Sequence, residues 1–307
     1  MIDLAKLQAF LYAAESLSFS EAAKQLHLSQ PTISHHIKSL EQELGVELFA
    51  RSGSGLRLTD AGCLLMSQAG KLLREANAVE QMMGSLQEKI VGQITIACST
   101  TTGKYVLPQV AAHFRQQHPG VKIAILACTQ ENVVPRLMQE KADLGVVSYD
   151  ACGGELECQE FFQDHIVLIV PADHPWAARN HIEPAELLQM PFIIREPTAG
   201  TRKVMLAEFG KHDIELDDMN IFLQIGNAEA IVKTIEAGFG VSFVSRMAAT
   251  WALERGTVVE VPVTGFDLRR KLYMMRYKLR TPQRAIEAFW GFIHDPINAD
   301  LLHLAEA

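Results

Sequence analysis

Residues 18–44 read SFSEAAKQLHLSQPTISHHIKSLEQEL. Ser18 followed by Glu21 is the capping-box pattern, with Ser18 covering an orphan N–H and Glu21 reaching back. Ala22, Ala23 and Leu26 then recur at helical spacing. His27-Leu28 is a turn. Ser29 caps a second helix, and Pro31 falls in its first turn, where a missing N–H costs nothing. Ile33, Ile37, Leu40 and Leu44 lie on one stripe. At about 100° per residue, Pro31, Ser34, His35 and Lys38 project roughly opposite it. Gly45 ends the helix. A plain helical hairpin with a solvated polar face would share this pattern. Two short helices, a tight turn and one face left free are also what a helix-turn-helix needs to lay a helix in the major groove of DNA.

The next segment favours the second reading. Residues 47–51 and 56–59 are short apolar runs around Ser52-Gly53-Ser54-Gly55, which predicts a small β-hairpin, a wing beside the second helix. Arg51 and Arg57 are expected at its base, where phosphate contacts would be made.

From Phe10 to Gly62 the chain resembles the winged helix-turn-helix of LysR-type transcriptional regulators. The matching residues are Phe10, Ser18, Phe19, Ala22, Ala23, Leu26, Ser29, Gln30, Pro31, Ser34, Ile37, Leu40, Glu41, Leu44, Gly45, Leu48, Phe49, Arg51, Leu58, Thr59 and Gly62. The resemblance covers the whole length, because this domain comes first in the family. It implies that Gln30, Pro31, Thr32, Ser34, His35 and Lys38 meet double-stranded DNA.

Charge qualifies that expectation. Residues 1–60 hold five Lys/Arg (Lys6, Lys24, Lys38, Arg51, Arg57) against seven Asp/Glu. Phosphate neutralisation supplies most non-specific affinity, so one copy should bind weakly and depend on a multimer. A source for the multimer follows directly. From Thr59 to Ile90 there is no proline, and Leu65, Ala69, Leu72, Ala76, Val79, Met83, Leu86 and Ile90 alternate in steps of four and three. Two helices zipped along a stripe need that spacing; packing on the chain's own body is the alternative. The resemblance implies the first, a linker helix that pairs the heads, with the whole protein a dimer of dimers. Two heads would then read an inverted-repeat operator with half-sites about one turn apart.

The chain of 307 residues is 48% apolar and carries a formal charge of −8, which argues against general polyanion coating. No run approaches a membrane span, and no signal peptide is read, so a cytoplasmic protein is expected. The five cysteines (Cys63, Cys98, Cys128, Cys152, Cys158) form no C-x-x-C pair and read as free thiols, with no metal site expected. Cys98 and Cys128 end two neighbouring predicted strands. A redox sensor is conceivable there, since some relatives sense peroxide, but buried inert thiols fit better.

Beyond Val91-Gly92 the pattern alternates: strands at 94–98, 121–127 and 144–147, with helices at 103–117 and 132–141 between them. A second unit places strands at 165–170, 192–194, 221–225 and 241–244, with helices at 184–189, 202–211 and 228–237; a strand at 266–277 and a helix at 282–294 close the chain. Pattern alone gives two α/β units with parallel sheets. The resemblance implies two Rossmann-like lobes of periplasmic-binding-protein type, with crossovers near 162–164 and 266–269. The expected plan is a winged helix-turn-helix at 1–59 and a linker helix and hinge at 60–91. An effector-binding domain at 92–307 follows, with lobe I at 92–162 and 268–296 and lobe II at 163–267.

Ligands in such sheets bind beyond the carboxyl ends of strands. Four polar clusters sit there: Ser99-Thr100-Thr101-Thr102-Gly103, Thr129-Gln130-Glu131, Glu196-Pro197-Thr198-Ala199-Gly200-Thr201-Arg202 and Gly226-Asn227, with Ser99, Thr100, Thr101, Thr102, Thr129, Gln130, Thr198, Gly200, Thr201, Arg202 and Asn227 the expected effector contacts. Each alone reads as a helix cap. Together, in two lobes, hydroxyls and free N–H groups at helix starts point to a small anion. The residues around 99–105 and 198–202 most resemble the branch that regulates sulfur-assimilation or carbon-fixation operons. Effectors there are small anions such as sulfate-related species or sugar phosphates. No cofactor is expected. There is no P-loop, G-x-S-x-G or H-E-x-x-H, and the histidines at 113, 118, 165, 174 and 181 are scattered. An enzyme with an accessory DNA-binding module is therefore disfavoured, and a constitutive architectural binder is the remaining alternative.

Overall fold

The computed structural model describes residues 2–52, 55–84, 90–149, 151–278 and 283–298. The chain divides into two compact units, Met1–Glu88 and Lys89–Ala307.

The first unit runs α1 (Leu4–Ser16), α2 (Phe19–Leu26), α3 (Gln30–Leu44), β1 (Phe49–Ser52), β2 (Gly55–Leu58) and α4 (Asp60–Gly84). Ser18 caps α2 by accepting from the Glu21 N–H at 3.3 Å. The reciprocal half of the expected box is not made: the Glu21 carboxylate takes the Lys24 ammonium at 2.7 Å. His27 closes α2 in the left-handed region, φ 54°, and Ser29 caps α3 through the Thr32 N–H at 3.2 Å. Leu7, Phe10, Ile33 and Leu40 are fully buried, and Phe49 of the wing packs its ring against Phe10 and Phe19 at 5.5 and 5.3 Å. Glu41 Oε1 accepts the N–H groups of Leu48 and Phe49, fixing the turn from α3 into the wing. Gly62 is needed for close approach: a Cβ there would drive into the Leu48 carbonyl and lie 2.9 Å from Leu58.

In the wing, Arg51 faces Leu56 and Arg57 faces Ala50. Both arginines thus sit mid-ladder and not at its base. The Arg51 side chain and the turn residues Gly53 and Ser54 lie outside the described residues.

The expected helical seam is divided. Ala69 is buried and Leu65 half-buried, both in the head's own core. Leu72 (47% exposed) and Val79 (56%) are open, and Ala76 is half-buried. Ile90 packs in the second unit's core. Leu86 and the Met83 side chain lie outside the described residues. Own-body packing therefore accounts for the start of the stripe but not its middle.

The second unit runs β3 (Gly92–Cys98), α5 (Thr100–Tyr105), α6 (Leu107–Gln117), β4 (Val121–Ala127), α7 (Val133–Met138), β5 (Leu144–Val147), β6 (Leu156–Pro171), β7 (Phe192–Arg195), α8 (Gly200–Lys211), β8 (Ile221–Ile225), α9 (Ala228–Glu236), β9 (Ser242–Ser245), α10 (Arg246–Glu254), β10 (Val258–Glu260), β11 (Arg269–Tyr277) and α11 (Arg284–His294). The helix expected over 103–117 is two helices, and the first begins three residues earlier, taking in most of the hydroxyl cluster. The helix expected over 184–189 is a 3-10 turn, and α10 and β10 lie where no element was expected.

The sheets are mixed and not purely parallel. β3 pairs parallel with β4 and β5, whereas β11 runs antiparallel to β5 and β6. The expected crossover near 162–164 is no loop. β6 continues through it, pairing with β11 up to His165 and with β9 from Ile166. One strand thus ties two lobes, and the second tie is the entry to β11 at Leu268–Arg269. Lobe I packs Phe114 against Phe289 and Phe292; lobe II packs Phe209 against Phe192 and Phe243.

Candidate functional sites

In the first unit the free face of α3 carries Gln30, Pro31, His35 and Lys38 exposed, with Thr32 and Ser34 half-buried beside them. These side chains are braced locally: Gln30 Nε2 donates to Ser34 Oγ at 3.1 Å, and Thr32 Oγ1 lies 2.8 Å from Ser29 Oγ. The core stripe on the opposite side (Ile33, Ile37, Leu40) holds the helix without using any of them. Of the head's cations, Lys6 pairs with Glu43 and Lys24 with Glu21. Lys38 and Arg57 are exposed and make no ion pair among the described residues. The head therefore presents a shaped surface with little free positive charge.

In the second unit, a cavity of about 80 Å³ opens between the lobes. That is room for several waters, hence for a small anion. Ser99, Thr100, Thr101, Thr129, Gln130, Thr198, Gly200 and Thr201 line it. Glu196 and Ala199 of the same polar loop also line it, as do Arg195, Cys128 and Arg270, which the sequence pattern did not mark as site residues. Three expected residues are elsewhere. Thr102 is buried behind the wall, its hydroxyl 3.2 Å from Ser99 Oγ. Arg202 Nη1 donates to the Arg195 carbonyl and to Gln224 Oε1 at 2.8 and 2.9 Å, bracing the strand behind the loop. Asn227 caps α9 through the Ala230 N–H at 3.0 Å.

Thr201 is the most telling wall residue. It is 4% exposed, and its hydroxyl has no hydrogen-bond partner among the described residues. A buried hydroxyl left unpaired costs about 1–3 kcal/mol, so the fold bears a cost that a bound acceptor would relieve. Ala199 gives α8 no side-chain cap, which leaves its first N–H groups for such an acceptor.

Two nearly buried arginines flank the cavity. Arg195 (8% exposed) grips Glu196 through Nε and Nη2 at 2.7 and 2.9 Å. Arg270 (7%) grips the fully buried Asp164 through Nε and Nη2 at 2.8 and 2.6 Å. Gly200 lies in close contact with the other lobe. A Cβ there would collide with Gln130 Nε2 and lie 2.7 Å from Ser148 Oγ and 2.8 Å from Arg270 Nη1. Beside the cavity, Glu229 of α9 takes the Lys104 ammonium and the Tyr105 hydroxyl (2.7 Å) of α5, clasping lobe to lobe. Those donors hold the Glu229 carboxyl below its ordinary range.

Burial pushes the Cys98 thiol up to about 12 and that of Cys128 in the same direction. A reactive thiol needs the reverse. Among the described residues no His/Cys/Asp/Glu cluster could hold a metal, and no helix is long and apolar enough to cross a membrane.

A helix-turn-helix head followed by a two-lobed domain with a polar inter-lobe cavity is the architecture of a DNA-binding regulator with an effector-binding domain. The chain belongs to the LysR family. Residues 4–63 match the bacterial regulatory helix-turn-helix protein of the lysR family, and residues 87–296 match the LysR substrate binding domain. It is thus a DNA-binding transcriptional regulator with an effector-binding domain, and not an enzyme. An HTH-type transcriptional regulator of Methanocaldococcus jannaschii is 31% identical, over 93% of this chain and 96% of that protein. The RuBisCO operon transcriptional regulator of Allochromatium vinosum is 30% identical over 95% of each. This agrees with the carbon-fixation side of the branch resemblance. Among solved structures, full-length CbnR complexed with its target DNA superposes with TM-score 0.68 at 21% identity, over 95% of this chain and 99% of that one. The regulatory domain of Synechocystis PCC6803 CcmR in complex with 2-PG superposes at 0.60 with 25% identity, over 66% of this chain and 95% of that one.

Proposed function

We propose that a small anionic effector binds between the lobes and, by changing their closure, sets how the heads engage an inverted-repeat operator. The unpartnered, buried Thr201 hydroxyl at the uncapped start of α8 carries this reading. It waits for an acceptor in a cavity flanked by Arg195 and Arg270. The 2-PG complex of the CcmR regulatory domain supports a small ligand in a domain of this fold. Gln30, Pro31, Thr32, Ser34, His35 and Lys38 of α3 read bases and phosphates, and Arg51 and Arg57 of the wing add backbone contacts. The exposed Leu72 and Val79 suit a helix-to-helix seam that pairs two heads, with a dimer of dimers as the assembly. The effector must bind two lobe arrangements unequally, or it shifts nothing. Its site of action is the cytoplasm.

Thermal melting of the full chain against a panel of small anions tests the reading. A saturable rise is expected for at least one anion. A flat response across the panel would favour a constitutive architectural binder whose cleft is vestigial.

A further inference from the structure

We propose that Glu196 makes the cleft selective for an anion that carries its own hydrogen-bond donor, rejecting one that is fully deprotonated. The inference rests on the anion-binding reading of this cleft and narrows its ligand class. Most of the wall can serve any oxyanion. The hydroxyls of Ser99, Thr100, Thr101, Thr198 and Thr201 rotate to donate, and the first N–H groups of α8 are fixed donors. Glu196 is different. Among the described lining residues it alone presents a carboxylate, which can only accept.

That carboxylate is held in place. Arg195 occupies one lone pair on each of its oxygens, through Nε on Oε2 and Nη2 on Oε1. A carboxylate has roughly four acceptor sites, so about half remain. Glu196 could turn away only by leaving Arg195, itself nearly buried, without its counter-charge. Among the described lining residues there is also no surplus cation to outweigh it. Arg195 is matched by Glu196 and Arg270 by Asp164, so the four formal charges cancel. Affinity then depends on hydrogen bonds rather than net charge, and an unmatched pair of acceptors counts heavily.

A sulfate ion offers acceptors on every side and would set one of them against Glu196. An anion retaining an O–H turns the same contact into a short, charge-assisted bond. Hydrogen phosphate and hydroxy-carboxylates share this chemistry, and so does a phosphate ester with a free hydroxyl.

The test is titration calorimetry on the full chain at pH 7 and constant ionic strength, with inorganic phosphate against sulfate and glycolate against acetate. The first pair isolates a protonated oxyanion; the second isolates a hydroxyl beside a carboxylate. The donor-bearing member of at least one pair should bind about 10- to 100-fold tighter, the range expected for one hydrogen bond to a charged group. Glu196→Gln should collapse that ratio, with the donor-free anion gaining. Thr201→Val should weaken both members of a pair together and leave the ratio alone. If Glu196→Gln does not fold, Glu196→Asp keeps an acceptor and should keep the preference at lower affinity. Equal binding within both pairs, or an unchanged ratio in Glu196→Gln, overturns the selectivity role while the cleft remains an anion site. No saturable binding of any of the four overturns both.

Discussion

The helix-turn-helix head and the inter-lobe cleft proposed to hold the effector solve opposite problems. On α3 the residues proposed to read DNA project from one side while Ile33, Ile37 and Leu40 hold the other. Recognition and stability are separate there, and both are written in a single run of sequence. In the cleft they are fused. Arg270 is a wall residue and, through Asp164 behind it, a tie between strands at once, and Thr201 is left without a hydrogen-bond partner among the described residues. A head built this way can change specificity without unfolding. A cleft built this way changes its ligand only by paying in stability.

The sharpest way to break that contrast is Asp164→Ala. It strips the counter-charge from Arg270 and the acceptor from Ser245 Oγ, which donates at 2.7 Å. Removing one partner of a buried pair costs about 3–5 kcal/mol, and denaturant unfolding should show this loss. A change under about 1 kcal/mol would mean the cleft is no more integrated than the head. Lys38→Ala should do the reverse. Stability should move by no more than about 0.5 kcal/mol, while DNA affinity falls and the salt slope drops by about one, read by fluorescence anisotropy at several salt concentrations. A destabilised head would show that its reading face does support the core.

The smallest effect concerns the clasp beside the cavity. Lys104 and Tyr105 hold the Glu229 carboxyl low, so its contribution is present above the ordinary glutamate value of 4.5 and is lost as pH falls through the lowered one. Glu229 is well exposed, so the effect is modest. Corrected for the intrinsic exchange rate at each pH, protection of the amides around α5 and α9 should fall slightly in acid, and Glu229→Gln should show the lowered protection already at neutral pH. Identical protection at both pH values would remove the clasp from the inter-lobe contacts.

How far each region could be read from sequence follows from the same difference. The caps at Ser18 and Ser29, Pro31 in the first turn and the apolar stripe are contacts between residues a few positions apart, so spacing alone exposes them. The hydroxyl clusters at 99–101 and 198–201 were visible because helix starts announce themselves locally. Arg195 and Arg270 were not visible, since each sits within a strand and reads as an edge residue until its buried partner is known. Arg202 misled for the mirror reason: a cation beside a polar loop looks like a ligand, but its donors turn back to the Arg195 carbonyl and Gln224. The seam from Leu65 to Ile90 is regular in sequence, yet its first members pack at home and its last packs in the other unit.

By itself the sequence determined the two-part plan, the second helix of the helix-turn-helix with its outward polar face, and the hydroxyl-rich starts of α5 and α8. These depend on periodicity and capping, which act over one or two turns of chain. Only the tertiary structure decided that β6 threads both lobes, that Arg195 and Arg270 arrive already neutralised, and that Thr201 stays unpaired beside Glu196. Those facts depend on which distant strands share a sheet, and on which side chains burial then compels to find each other.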